Sequence, residues 1–277
     1  MQDNGELYTY VKKIGGSAHL LGLTYLNNPL IMIKKGNDAL GGGILVTASI
    51  HAREYITSYL VCRLAQEYSL SYPIHFVPLL NPDGVFLARG GADTVADKKL
   101  RYELIDINGG RNFALWKANA RCVDLNVNFD AGWGTGLSNV RYKRSSDYIG
   151  SKPFSERETK AIKRLLKRYR YGLCLCYHSK GEEVYWGFEH DTRYKAEAQL
   201  FADKLGYTLK ESRGSAGGLK DYFTLMYKRL GLTIEVGSDS LPHPYPMGQL
   251  DNLYAQHKGS LELAVEICKK LEEDSRY

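Results

Sequence analysis

The segment "HAREYITS" (residues 51–58) packs three chemically capable side chains, His51, Arg53 and Glu54, directly behind the apolar run "GGGILVTASI". His51 and Glu54 stand three residues apart at the entry to a helical pattern, so they can point the same way. An imidazole nitrogen and a carboxylate oxygen are two-thirds of a protein ligand set for catalytic zinc. Taken alone the pair says little. At this composition a His-x-x-acid match arises by chance roughly once in such a chain, and on this motif alone a solvent-facing ion pair at a helix start is the better explanation.

A third ligand is needed, and His178 follows the apolar stretch "YGLCLCY", where a side chain at a strand end can enter a cleft. A histidine bonded to its own strand-end backbone is the alternative. Glu235 closes a second apolar stretch, "GLTIE". A carboxylate there is costly unless it is used or paired, and burial that raises its pKa suits a general base. The polar, turn-rich segment "KANARCVDLNVNFDAGWG" (117–134) adds Arg121, Asp124 and Asn126. A cation can stabilise an oxyanion, an aspartate can fix the tautomer of a ligand histidine, and an amide can bind substrate. A self-bonded loop would have the same composition.

These residues require elements that bring strand ends together. Four stretches, "GGILVTASI", "PIHFVPLL", "GLCLCYHS" and "GLTIEVG", are continuous apolar runs of the kind found in strands covered on both faces. Helical patterns alternate with them. "PFSERETKAIKRLLKRYR" carries a Ser155/Glu158 capping-box signature and an apolar stripe of Ile162, Leu165 and Leu166. "NPDG" reads as a turn, and "LDNLYAQHKGSLELAVEICKKLEE" as one C-terminal helix. The expectation is an α/β fold, a single domain over 1–277 with a mixed, mainly parallel central sheet flanked by helices. His51, Asn81, His178 and Glu235 then fall at or just beyond carboxyl ends of strands, where such sheets gather functional groups.

Composition bounds the partners. The 277 residues are 44% hydrophobic and 25% charged, with a net charge of +6, in the ordinary range for a globular chain. The basic residues are dispersed, which disfavours nucleic acid, and no apolar run reaches the ~18 residues of a membrane span. "MQDNGELYTYVKKIGG" lacks the apolar core of a secretory leader, so a cytoplasmic location is expected. Five cysteines without framework spacing argue against a disulfide scaffold. Cys174 and Cys176 share one strand face and read as packing residues. Oligomeric state is not readable.

Six stretches in this order, "HAREYITS", "NPDGV", "NARCVDLNVNFDAGWG", "PFSERETKAI", "YHSKGEEVYW" and "LTIEVG", resemble the zinc carboxypeptidase family, the M14 metallopeptidases, over residues 5 to 272. The resemblance implies one zinc ion per chain on His51, Glu54 and His178. Glu235 is implied as general base and then general acid, Arg121 as the group polarising the scissile carbonyl, and Asp124 as the partner orienting His51. Arg53 and Asn126 are implied in the substrate groove. Where carboxypeptidases of the family carry an arginine that grips the substrate's terminal carboxylate, this chain has Val127. The family's mobile tyrosine is replaced by "ESRGSAGG", with Arg213 nearby. "HSKGEEVYW", "GGLKDYF" and "TIEVG" are similar to the bacterial branch that cuts γ-D-glutamyl–meso-diaminopimelate bonds in peptidoglycan-derived peptides. That similarity implies carboxylate binding by Arg213 and Lys220 and ammonium binding by Asp221, although a plain Lys220–Asp221 ion pair fits as well. An ordinary zinc carboxypeptidase with altered C-terminal anchoring, and an inactive muropeptide-binding protein, are the competing functions.

Overall fold

The computed structural model describes residues 4–38, 43–191 and 193–274. Eight strands form one sheet in the order β1-β2-β4-β3-β5-β8-β6-β7. They are β1 (Ser17–Leu23), β2 (Pro29–Lys35), β3 (Ile44–Ala48), β4 (Ile74–Val77), β5 (Leu173–His178), β6 (Glu183–Trp186), β7 (Thr208–Glu211) and β8 (Leu230–Glu235). The four central strands β4, β3, β5 and β8 run parallel, as do β6 and β7. β1–β2, β2–β4 and β6–β8 are antiparallel. The mixed, mainly parallel sheet is the one expected.

The helices are α1 (Asn4–Lys13), α2 (Ile56–Glu67), α3 (Pro82–Gly90), α4 (Lys98–Asn108), α5 (Arg157–Arg168), α6 (Lys195–Leu205), α7 (Leu219–Tyr227), α8 (Leu250–His257) and α9 (Ser260–Asp274). Alternation along each central strand divides the core. Ile44, Val46, Leu173, Leu175, Leu232 and Ile234 pack under α1, α2, α6, α8 and α9. Leu45, Cys174 and Cys176 pack under α5 and α7. Every residue of β3 and β5 is buried. Each fully buried Leu, Ile or Val contributes about 1.5–3 kcal/mol, which is why these strands read as unbroken apolar runs. All five cysteines are buried and free. No described helix is long and apolar enough to cross a membrane.

Three local expectations are corrected. "NPDG" is a helix start rather than a free turn: Asn81 caps α3, its Oδ1 accepting the Gly84 N–H at 3.0 Å, with Pro82 in the first position, where its missing N–H costs nothing. The Ser155/Glu158 box does not form. α5 is capped from Glu156 without a side-chain bond, and Glu158 turns into the protein. The C-terminal helix is two, because Gly259 at φ +78° breaks the run between α8 and α9.

Candidate active site

Hydroxyls shape the turn out of β3. Ser49, held at φ +50°, places its Oγ 2.6 Å from Ser58 Oγ and 3.2 Å from Thr57 Oγ1. Ser58 in turn donates to the Pro78 carbonyl. The chain then makes a short 3-10 turn, Ala52–Glu54, flanked by His51. Asn81 clamps this turn to the next segment: its Nδ2 donates to the carbonyls of Ile50 (3.0 Å) and Ala118 (3.2 Å). The Ala52 N–H reaches the Lys117 carbonyl at 3.0 Å. These ties deliver His51 and Glu54 to the ends of β5 and β8. There His178 and Glu235 are register partners on neighbouring parallel strands.

His51, Glu54 and His178 are all buried, and their donor atoms lie within 4.8 Å of one another. His51 Nδ1 is 2.8 Å from Glu54 Oε1, His178 Nδ1 is 3.1 Å from Glu54 Oε2, and the two Nδ1 atoms are 3.1 Å apart. Around a tetrahedral zinc, neighbouring nitrogen and oxygen ligands stand about 3.3 Å apart, so the spacing fits. Protons alone satisfy both imidazole–carboxylate contacts only by bringing two N–H groups face to face; a cation removes that conflict. The two histidines hold Glu54 ionised, well below the usual carboxylate range, against the opposing effect of burial. On the far side of the His51 ring, Nε2 faces Asp124 Oδ1 at 3.3 Å. A carboxylate there favours the tautomer that leaves Nδ1 free for a metal. Burial opposes the charge on Asp124, but Lys117 and then His51 keep it ionised.

A cavity of about 300 Å³ opens beside this cluster, lined by His51, Lys117, Asn126, Val127, Arg213 and Glu235 among others. Glu235 is enclosed by protein yet reached from the cavity. Burial, reinforced by the Glu54 charge and opposed by His178, pushes its carboxyl up to about 8. Asn126 Oδ1 accepts the Leu219 N–H at the start of α7 (3.1 Å). Gly217, at φ +84°, lies so close to Val127 that a Cβ would sit 2.7 Å from the Val127 carbonyl oxygen. Only glycine lets the 212–218 loop close onto this wall.

Two expectations fail here. Arg121 does not reach the cavity. Its Nε pairs with Glu156 Oε2 at 3.1 Å and its guanidinium stands over Tyr25, in a second cavity of about 310 Å³ lined also by Arg157, Glu158 and Lys160. The cation that faces the ligand cluster is Lys117, four residues earlier. Its Nζ is 3.0 Å from Asp124 Oδ2 and 3.5 Å from Asp147 Oδ1. Burial works against that charge, but the two aspartates outweigh it and hold the ammonium protonated. A lysine ahead of "ANARCVDLN" was visible in the sequence, but nothing in its spacing set it apart from Arg121.

Lys220 and Asp221 do line the cavity, but their polar atoms are already used. Lys220 Nζ meets the Gly187 carbonyl (2.5 Å), Ser212 Oγ (2.7 Å) and Asp221 Oδ1 (2.5 Å). Two hydrogen bonds and an ion pair within the protein commit this ammonium, which is 4% exposed, to the loops around it rather than to the cavity. Asp221 Oδ2 accepts the Gly218 N–H at 3.3 Å. The pair fastens α7 to the loops around it. Arg213, by contrast, has an 83% exposed side chain held only to Glu211, at 3.0 Å. Arg53 does not line this cavity, and its Nε is buried without a hydrogen-bond partner.

Comparison with known proteins agrees with the fold. A profile of the zinc carboxypeptidase family matches residues 17–270. The chain is 31% identical over 283 aligned residues to gamma-D-glutamyl-L-diamino acid endopeptidase 1 of Lysinibacillus sphaericus, covering 94% of this chain and 69% of that protein. Among solved structures, thrombin-activatable fibrinolysis inhibitor superposes with a TM-score of 0.75 at 18% identity, over 96% of this chain and 74% of that one. The murein-tripeptide amidase of Escherichia coli O157 gives 0.57 at 21%, over 88% and 95%.

Proposed function

This chain belongs to the zinc carboxypeptidase family of metallopeptidases, and we propose that it hydrolyses the γ-D-glutamyl–meso-diaminopimelate bond of peptidoglycan-derived peptides. The observation that carries the hydrolytic reading is the convergence of His51, Glu54 and His178 at one point, with His51 and Glu235 both lining the adjoining cavity. Those three residues would hold one zinc ion per chain. When bound, zinc supplies Lewis acidity and lowers the pKa of water at its open position. Glu235 takes the proton of the attacking water and then hands it to the leaving nitrogen. Lys117 presents a fixed ammonium to the oxygen on which charge develops. Asp124 keeps His51 oriented, and Asn126 and Arg53 position the substrate.

The substrate reading has other support. The relative in L. sphaericus bears the name of that activity, and the E. coli amidase with the same fold is named for a murein tripeptide. Val127 offers no cation for the terminal carboxylate of an ordinary peptide. Arg213, exposed at the cavity, can reach the far carboxylate of diaminopimelate. The test is digestion of L-Ala-γ-D-Glu-meso-diaminopimelate and of its lysine analogue, which lacks that carboxylate, with products read by mass spectrometry. The expected result is cleavage between glutamate and diaminopimelate and at least a ~10-fold preference over lysine, the worth of one charge-assisted hydrogen bond. Arg213→Ala should reduce that preference. Equal rates would remove the carboxylate argument, and faster release of ordinary C-terminal residues would favour a carboxypeptidase with altered anchoring.

A further inference from the structure

The net charge of +6 is concentrated in one stretch. Residues 152–170 hold eight basic residues and two acidic ones, which leaves 29 of each sign in the rest of the chain. The two acids, Glu156 and Glu158, are each 1% exposed. Folding then sorts α5 by side. Glu158, Thr159, Ala161, Ile162, Leu165 and Leu166 are buried. The other six residues, Arg157, Lys160, Lys163, Arg164, Lys167 and Arg168, are all basic and, apart from half-buried Lys163, exposed. On this element the basic residues are gathered rather than dispersed.

Contacts within the protein leave that charge uncompensated. Arg157 and Arg164 donate to the carbonyls of Thr24 (2.8 Å) and Leu21 (3.3 Å), and Lys160 to that of Ser155 (2.9 Å). Lys163 stands over the Phe154 ring and Arg168 over the Tyr169 ring. None of the six pairs with a carboxylate among the described residues. Like charges three or four residues apart repel on a helix, and cations in the first turn face the positive end of its dipole. A face that serves solubility alone mixes its signs. This one is arranged for an anionic partner.

The shape of the face selects that partner. From Arg157 to Arg168 the helix advances about 16 Å, and exposed Lys152 and Arg170 flank it in sequence. With the rest of the chain balanced in charge, the result is a line one helix wide, which suits a linear polyanion better than a plane of lipid headgroups. The apolar side of α5 is sealed in the core, so the helix has nothing to insert into a bilayer. Its exposed residues include no aromatic ring on which a base could stack. The line begins at the wall of the active-site cavity. Asn128, next to the cavity-lining Val127, accepts the Glu156 N–H (3.3 Å) and the Thr159 hydroxyl (2.8 Å) on its Oδ1.

We propose that the exposed face of α5 docks a linear, base-free phosphodiester polymer, a poly(alditol phosphate) of the kind bonded to peptidoglycan, and so holds the enzyme on the wall whose peptides the cavity takes. Guanidinium groups pair bidentately with phosphate, and three of the six cations are arginines. The choice of polymer rests on the reading of the chain as a wall-peptide hydrolase.

Titration of the full chain against end-labelled oligo(glycerol phosphate), read by fluorescence anisotropy, tests the docking. Binding should weaken at least ~10-fold between about 50 and about 200 mM salt. Joint substitution of Lys160→Gln, Arg164→Gln and Lys167→Gln should weaken it at least ~10-fold at the lower salt. The same loss of charge at exposed residues elsewhere, Lys12→Gln with Lys98→Gln and Lys99→Gln, should cost less than about threefold. Cleavage of the free γ-linked tripeptide should be equal in all three proteins. No binding, equal losses in the two variants, or lost tripeptide cleavage in the α5 variant alone would overturn the docking face. Tighter binding of a thymidine oligonucleotide with the same number of phosphates would assign the face to nucleic acid, and tighter binding of phosphatidylglycerol vesicles would assign it to a membrane; either would overturn the polymer. Polymer binding without tripeptide cleavage refutes the proposed reaction and keeps the docking face; cleavage without polymer binding does the reverse.

Discussion

The segment from Lys117 to Asn126 contributes to two cavities that look alike by several measures. Their volumes are about 300 and 310 Å³. Each is bordered by a glutamate whose carboxyl burial pushes up to about 8, Glu235 in one and Glu158 in the other. Each receives a cation from the same stretch of chain, Lys117 or Arg121. They differ in what surrounds the glutamate. Beside Glu235 stand three aligned donor groups on rigid strand ends and turns. Beside Glu158 stand Asp83, whose charge adds to the effect of burial, and Glu156; neither Glu158 oxygen makes a hydrogen bond of good geometry. Volume, a perturbed acid and a nearby cation do not identify a catalytic centre; convergence of ligand lone pairs does.

The difference can be broken most sharply at the metal. His178→Ala should leave the folded protein with less than one zinc per chain by elemental analysis and reduce turnover at least ~10³-fold, since a three-ligand site loses a ligand. Chelation of the wild type should do the same reversibly. Full zinc and full activity in the variant would remove His178 from the site. Glu235→Gln comes next. It is close to isosteric and cannot accept a proton, so zinc content should hold while kcat falls at least ~10²-fold. Near-normal turnover would mean that another group moves the proton.

The two cations give a paired test. Lys117→Ala should lower kcat by about 10²-fold, the usual cost of losing one oxyanion donor. Lys117→Arg should restore much of it. Arg121→Ala should leave kcat within about threefold, because its guanidinium serves Glu156 and Tyr25. The reverse ranking would exchange the roles of the two residues.

The smallest effect concerns Glu158 and stability alone. Its folded pKa of about 8 lies above the ordinary 4.5, so the folded chain keeps a proton that the unfolded chain gives up. The resulting stability is full below about 4.5 and is lost as pH rises through about 8. Glu158→Gln should abolish that loss, making the variant more stable than wild type at pH 9 by about 2–4 kcal/mol in chemical denaturation. Activity should not change. An identical pH profile in both proteins would show that Glu158 is ionised in the fold.

What could be read from the sequence followed the physics of each element. β3, β4, β5 and β8 were legible because strands covered on both faces must be apolar throughout. β1, β2, β6 and β7 were not foreseen; β1 is largely exposed and β6 alternates, so neither carries the continuous signal. His51, Glu54, His178 and Glu235 stood out because strand ends fix where a side chain goes. Lys117 and Arg121 lie in irregular chain, where no period says which way a side chain turns; Arg121 was expected at the ligand cluster, and the structure turns it to Glu156 and brings Lys117 to the cavity instead. Lys220 and Asp221 were placed at the right wall, but the ammonium is taken up by the Ser212 hydroxyl of the preceding loop and the Gly187 carbonyl from a loop 33 residues away, a closure that no sequence pattern shows.

The pairing of His178 with Glu235 across β5 and β8 makes turnover a reporter of sheet alignment. If β8 slid by one residue during refolding, Glu235 would turn to the opposite layer, among the residues under α2 and α9. Such a molecule would keep its strands and most of its buried surface. Circular dichroism would count it as refolded, and a peptidase assay would not. The gap between the two recoveries therefore measures the fraction of chains in which this one ladder has closed out of step.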